Sequence, residues 1–126
     1  PIGMTLFEKI DHRNRNASWG IYIGEKEFRK RIFALEATYL ILKYGFEYLN
    51  LYKIYGNTLK SNKKGRSFHK LVGFNEEATF YNHIFVDDFY DDLIWITIFK
   101  KDWGIVSEKL HSQIDKIKFN YTDESK

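Results

Sequence analysis

Cysteine is absent from the 126 residues. That excludes disulfides, thiolate metal sites and a cysteine nucleophile, and it permits a reducing compartment. No apolar run approaches the roughly 20 residues of a membrane span, and no stretch reads as a secretory signal. The expectation is therefore a cytoplasmic protein with no membrane partner. The four histidines include His12, His83 and His111, which show no metal-ligand spacing. Asp87, Asp88, Asp91 and Asp92 lack the Gly and Glu placement of a calcium loop, so no metal is expected. Ser67 has no nearby triad pattern. There is no internal repeat, low-complexity block or linker. The chain starts at Pro1 rather than methionine, which reads as a processed, trimmed or partial chain.

Aromatic residues are plentiful, at 18% of the chain, with eleven Phe and nine Tyr. That composition supports a packed core rather than disorder, and the length suits a single domain spanning 1–126. Net charge is only +3. So mild a balance fits a small anionic ligand better than a nucleic-acid footprint, which needs a denser basic stripe. Lys60, Lys63, Lys64 and Arg66 are the residues that would carry such a footprint.

Hydrophobic periodicity divides the chain into alternating elements. Ile2 to Ile10 reads as a strand, His12 to Asn16 as a turn, and Trp19 to Ile23 as a second, antiparallel strand ended by Gly24. From Arg29 to Leu49, apolar Leu35, Tyr39, Leu42, Phe46 and Leu49 recur at helical spacing. Leu51 to Leu59 is a strand, which after a crossover helix should pair parallel with the earlier one. Ser61 or Asn62 caps a short helix that buries Phe68, Leu71 and Val72. Gly73 then closes it in a left-handed conformation. Thr79–Val86 and Leu93–Phe99 form a hairpin around DDFYDD. Asp102 opens a last helix, with Trp103, Val106, Leu110, Ile114 and Ile117 on one face. The order β-β-α-β-α-β-β-α describes an α/β domain with a mixed sheet.

Two segments carry chemistry. Arg29-Lys30-Arg31 stands where the long helix begins, although cations are unfavourable at a helix N-terminus. Either they serve an anion held by that terminus, or they precede the first turn and are solvated. The second segment is NKKGRSFHKLVGF, Asn62 to Phe74. It has a polar entry, a basic first turn and a late histidine, His69. A histidine there is either an ordinary helix residue or a proton-carrying group beside a ligand.

The strand WGIYIG, followed by Arg29-Lys30-Arg31-Ile32-Phe33-Ala34, resembles the acetyl-CoA site of the GNAT N-acetyltransferase family. The family's pattern there is Gln/Arg-x-x-Gly-x-Gly/Ala. Asn62, Ser67, His69 and Gly73-Phe74 follow in the family's order. FVDDFYDDLIWITIFKKDW resembles the final hairpin of the branch with ribosomal-protein and flagellin amino-sugar acetyltransferases. The resemblance implies a GNAT-like fold, with a mixed, mostly antiparallel sheet flanked by helices. It also implies transfer of acetyl from acetyl-CoA to a primary amine, of an amino-sugar nucleotide or a protein or peptide.

On that resemblance, backbone groups of Ile21, Tyr22 and Ile23 bind the pantetheine arm, and one N–H polarises the thioester carbonyl. Arg29 to Ala34 receive the pyrophosphate; Lys63, Lys64 and Arg66 either assist with the phosphates or are simply solvated. Asn62 and Ser67 meet the cofactor. His69 stands where the family has a thiolate-protonating tyrosine. Glu8, on the first strand, is the candidate general base, against the plainer reading of an exposed strand carboxylate. Tyr22 is a further pocket candidate. Ile32 departs from the family's glycine, and the elements that the family places before Pro1 have no counterpart. These departures motivate the alternative of a non-catalytic CoA- or partner-binding module with the same fold, and the expectation of a homodimer.

Overall fold

The computed structural model of the chain describes the backbone of residues 3–23 and 27–124 and the side chains of residues 5–21 and 31–120. The calls on Ile2 and Gly24, and on the side chains of Tyr22, Ile23, Arg29 and Lys30, lie outside the described residues.

The first strand, β1 (Gly3–Asp11), pairs antiparallel with β2 (Asn16–Ile23). Their corner is fixed by the Asp11 carboxylate, which accepts from the Asn14 backbone N–H at 2.8 Å and side-chain amide at 2.9 Å. Those bonds favour the ionised form and hold the Asp11 carboxyl below its ordinary range. Strand β2 begins at Asn16, earlier than expected. Asn16, Ala17 and Ser18 already sit in register with the next strand.

Helix α1 (Glu27–Lys43) buries Leu35 and Leu42 completely. It does not run uninterrupted to Leu49 as its periodicity suggests. Residues Tyr44–Tyr48 form a π-helical turn, in which the Leu49 N–H donates to the Tyr44 carbonyl at 3.0 Å. The wider turn points Phe46 fully inward and leaves Tyr44 and Tyr48 stacked outside, with ring centroids 5.6 Å apart. Leu51, expected in a strand, is instead a buried plug in the connection to β3 (Lys53–Leu59).

Helix α2 (Lys63–Leu71) is capped by Asn62, whose side-chain oxygen accepts from the Gly65 N–H at 3.0 Å. The chain leaves the helix through Gly73 at φ 107. A side chain there would be strained by the backbone alone, and its Cβ would lie 2.5 Å from Val106 Cγ1. The expected left-handed stop is therefore observed. Strands β4 (Asn75–Val86) and β5 (Phe89–Phe99) are longer than expected: β4 starts at Asn75 instead of Thr79, and DDFYDD is mostly strand. Only Asp87 and Asp88 turn, both at positive φ (48° and 68°), which suits a tight two-residue hairpin. After a 3₁₀ turn at Lys100–Asp102, helix α3 (Trp103–Glu124) completes the described chain.

The five strands lie in the order β1-β2-β3-β5-β4. Only β2 and β3 run parallel, and every other neighbouring pair is antiparallel. The expected mixed, mostly antiparallel sheet is thus observed. Cross-strand partners share a face, so the register Ala17↔Ile54↔Ile98 sets one apolar face. That face packs in one cluster with Leu35, Leu42 and Phe46, with Val72 and Phe74, and with Trp103, Leu110 and Ile114. No helix of the described residues is long and apolar enough to cross a membrane.

Candidate functional site

The parallel seam between β2 and β3 is short. It joins Asn16↔Lys53, Ala17↔Ile54 and Ser18↔Tyr55, and then the strands part. Beyond that point Gly20 to Ile23 pair with β1, and Gly56 to Leu59 pair with β5. The facing backbone edges of the two strands are left without a ladder between them, and such groups need partners. Gly56 sits at the fork. A Cβ there would come within 3.2 Å of the Trp19 carbonyl oxygen, so any side chain at residue 56 would push the β2 backbone aside by a few tenths of an ångström.

A cleft of about 470 Å³ opens in the fork. Trp19, Gly20 and Ile21 form one wall, Asn57 and Thr58 the other. Asn62, Lys64, Phe68 and His69 of α2 and Ala34 of α1 close it. A second groove of about 700 Å³ adjoins it between α1 and α2, sharing Ala34, Lys64 and Phe68 and adding Arg31, Lys63 and Ser67. Arg31, Lys63 and Lys64 enter no ion pair among the described residues. The arrangement is a slot with one apolar and one polar wall and two free backbone edges, leading to a groove rimmed by cations. It fits an extended amide-bearing chain that ends in phosphates.

Sequence candidates fall on this site unevenly. Ile21 lines the cleft, while the peptides of Tyr22 and Ile23 continue its strand edge. Arg31 and Ser67 line the groove, and Ala34 lines both cavities. Ile32 is half-buried and Phe33 exposed on α1, and neither lines the cleft or the groove. Asn62 is partly committed elsewhere. Besides capping α2, its amide donates to Thr58 Oγ1 at 3.3 Å, which ties α2 to β3. Arg66 is not a free groove cation. Its guanidinium donates to both Glu76 oxygens, at 2.9 and 3.1 Å, and to the Lys60 carbonyl at 3.1 Å. The pair lowers the Glu76 carboxyl and raises Arg66.

Glu8 is exposed on β1 opposite Ser18, whereas Phe7 is opposite Trp19. Neighbouring residues of a strand alternate faces. Glu8 therefore lies on the sheet face away from Trp19 and His69, and the structure does not bring the two proposed catalytic groups together.

His69 is packed into an aromatic cage. Its ring meets Trp19 edge-on at 5.5 Å, Phe74 at 6.1 Å and Phe68 at 6.3 Å. Burial pushes its pKa down from 6.5 to about 4, with Glu76 opposing the fall. The residue that sequence reasoning missed is Trp19, only 6% exposed and stacked on Phe74 at 4.7 Å. In the sequence it stands only as the first residue of the strand motif WGIYIG, with no role of its own. No local pattern marks a contact between residues fifty positions apart.

Comparison with known proteins places this geometry. Residues 1–75 match the acetyltransferase (GNAT) domain. The chain is 31% identical over 101 residues to the spermidine N(1)-acetyltransferase of Escherichia coli, covering 80% of this chain and 54% of that protein. It is 29% identical over 101 residues to YdaF of Bacillus subtilis, whose name marks it as a provisional ribosomal N-acetyltransferase, covering 80% of this chain and 55% of that one. The structure of a Vibrio cholerae spermidine N-acetyltransferase variant superposes with a TM-score of 0.74 at 28% identity, over 81% of this chain and 60% of that one. The chain thus spans about half the length of the curated relatives it matches.

Proposed function

The chain belongs to the GNAT acetyltransferase family, and from that premise we propose that it binds acetyl-CoA in the fork between β2 and β3 and transfers the acetyl group to a primary amine. One observation carries the reading: the seam that stops at Ser18↔Tyr55 and opens into a cleft continuous with a cationic groove. The free edge of β2 offers N–H and C=O groups to the amides of a pantetheine arm. Arg31, Lys63 and Lys64 supply charge for the phosphates. Asn62, Ser67 and His69 are the polar side chains of α2 along this path.

The acceptor belongs to the same proposal. Two relatives are named for spermidine and a third for a ribosomal substrate, so a polyamine joins the protein amine and the amino-sugar nucleotide as candidate acceptors. Glu8, on the far sheet face, is the candidate base for an amine approaching from that side. A cytoplasmic location and a homodimer complete the reading. Light scattering of the purified chain tests the dimer.

Isothermal titration with acetyl-CoA, followed by thiol release in the presence of spermidine, a peptide with a free N-terminus, or an amino-sugar nucleotide, tests the function. Saturable binding with turnover on one amine is the expected result. Absence of binding sinks the proposal. Binding without turnover on any amine favours the non-catalytic module.

A further inference from the structure

The two nitrogens of His69 stand in unlike surroundings. Nδ1 is fully buried and has no hydrogen-bond partner among the described residues. The rings around it belong to Trp19, Phe74 and Phe68. The one polar atom those rings offer, Trp19 Nε1, is a donor and is itself buried without a partner among the described residues. A hydrogen on Nδ1 would therefore be a buried donor with nothing to receive it. His69 nonetheless lines the cleft, and Nε2 is the polar atom left to face it.

We infer that His69 acts as a neutral imidazole whose hydrogen sits on Nε2, and that this N–H donates a hydrogen bond to the acyl thioester in the cleft rather than passing a proton to it. The inference rests on the acetyl-CoA reading above. An imidazolium needs hydrogens on both nitrogens, and the cage accommodates only one. Burial outweighs the one charge effect resolved on the ring, that of Glu76, which favours the cation. Strand β2 carries no charged side chain, α2 carries Lys63, Lys64, Arg66 and Lys70, and Glu76 on β4 is already held by Arg66. The low pKa of His69 is the electrostatic expression of this packing.

The proton count closes without His69. The amine nitrogen bonds to the carbonyl carbon, the C–S bond breaks, and its electron pair stays on sulfur. The proton that sulfur takes up is the one that the nitrogen must lose. His69 gives up no proton and needs none back.

Two measurements test this. Long-range ¹⁵N–¹H spectra of the ligand-free chain read the tautomer directly. The expected result is hydrogen on Nε2 at pH 7 and no imidazolium at pH 6. Hydrogen on Nδ1, or a cation at pH 6, overturns the inference whether or not the protein acetylates anything. The second is a pair of variants assayed for kcat. His69→Gln keeps an N–H near the Nε2 position but cannot act as an acid. It should retain several-fold more of the parent kcat than His69→Ala, which falls about tenfold, the effect of one lost neutral hydrogen bond. Equal losses of about 100-fold or more in both variants would mark a general acid and overturn the inference. A chain that binds no acetyl-CoA overturns the functional reading and removes the thioester as the acceptor, and the tautomer result still stands.

Discussion

At one end of the seam between β2 and β3, Ala17 and Ile54 sit in register and neither has any exposed surface. The Arg15 carbonyl receives the N–H groups of both Tyr52 (2.6 Å) and Lys53 (3.2 Å), closing that end. At the other end the same two strands share no register pair, and a cleft of about 470 Å³ separates them. The closed end is in register across the strands and buries Ala17 and Ile54, so it contributes to stability. The open end leaves backbone groups unpaired beside half-buried side chains, an arrangement that costs stability and makes sense when a ligand supplies the missing partners. One pair of strands thus separates folding from function along its length.

Mutations should keep the two ends apart. The largest effect is expected at the closed end. Ile54→Ala removes a side chain with no exposed surface and should cost about 3 kcal/mol of stability in urea unfolding. The acetyl-CoA affinity of the remaining folded molecules should not change. A large loss of affinity at unchanged stability would erase the distinction.

Next in size is the pH dependence of the open end. Unfolded, His69 titrates near 6.5, and folded it titrates at about 4. Between those values the unfolded chain takes up a proton that the folded chain refuses. This contribution to stability is intact above pH 6.5 and is lost as the pH falls toward 4, by up to about 3 kcal/mol. His69→Gln should flatten that part of the curve. Parallel curves for parent and variant between pH 7 and pH 5 would mean that the ring is not caged.

Charge reversal in the groove is expected to act on binding alone. Arg31→Glu or Lys64→Glu should weaken acetyl-CoA about tenfold or more in isothermal titration and leave the melting temperature in place. A weakening no greater than that of a neutral surface substitution would remove the groove from the phosphate path. The smallest effect belongs to the cap. Asn62→Ala should cost about 1 kcal/mol in thermal unfolding, because it removes the bond to Gly65 and the tie to Thr58. No loss would show that α2 is held by its aromatic end alone.

The closed end was legible in the sequence. Alternation along the strands and helical spacing at Leu35, Leu42 and Phe46 place the core, and β-α-β order predicts the parallel pair. The cap at Asn62 and the stop at Gly73 were legible too, because both are local backbone chemistry. Element ends were less so. The π-turn at Tyr44–Tyr48 keeps a helical apolar pattern and is set by packing of Phe46. DDFYDD reads as a long turn by composition, yet Phe89 to Asp92 extend the ladder. At the site, motif residues such as Arg31, Asn62 and Ser67 were named because each belongs to a short pattern. Trp19, the cage around His69, and the diversion of Arg66 to Glu76 were not. Each depends on contacts between elements, and nothing in the spacing of residues along the chain records them.

The central claim is that the open end of the seam receives the acyl-CoA. Backbone amide shifts recorded while acetyl-CoA is titrated into the chain test it most directly. The account predicts saturable shifts concentrated at Trp19, Gly20, Ile21, Asn57 and Thr58, with Ala17 and Ile54 unmoved. Shifts centred instead on the pocket between α2 and α3, around Lys70, Ile105 and Lys109, or no saturable shifts at all, would contradict it.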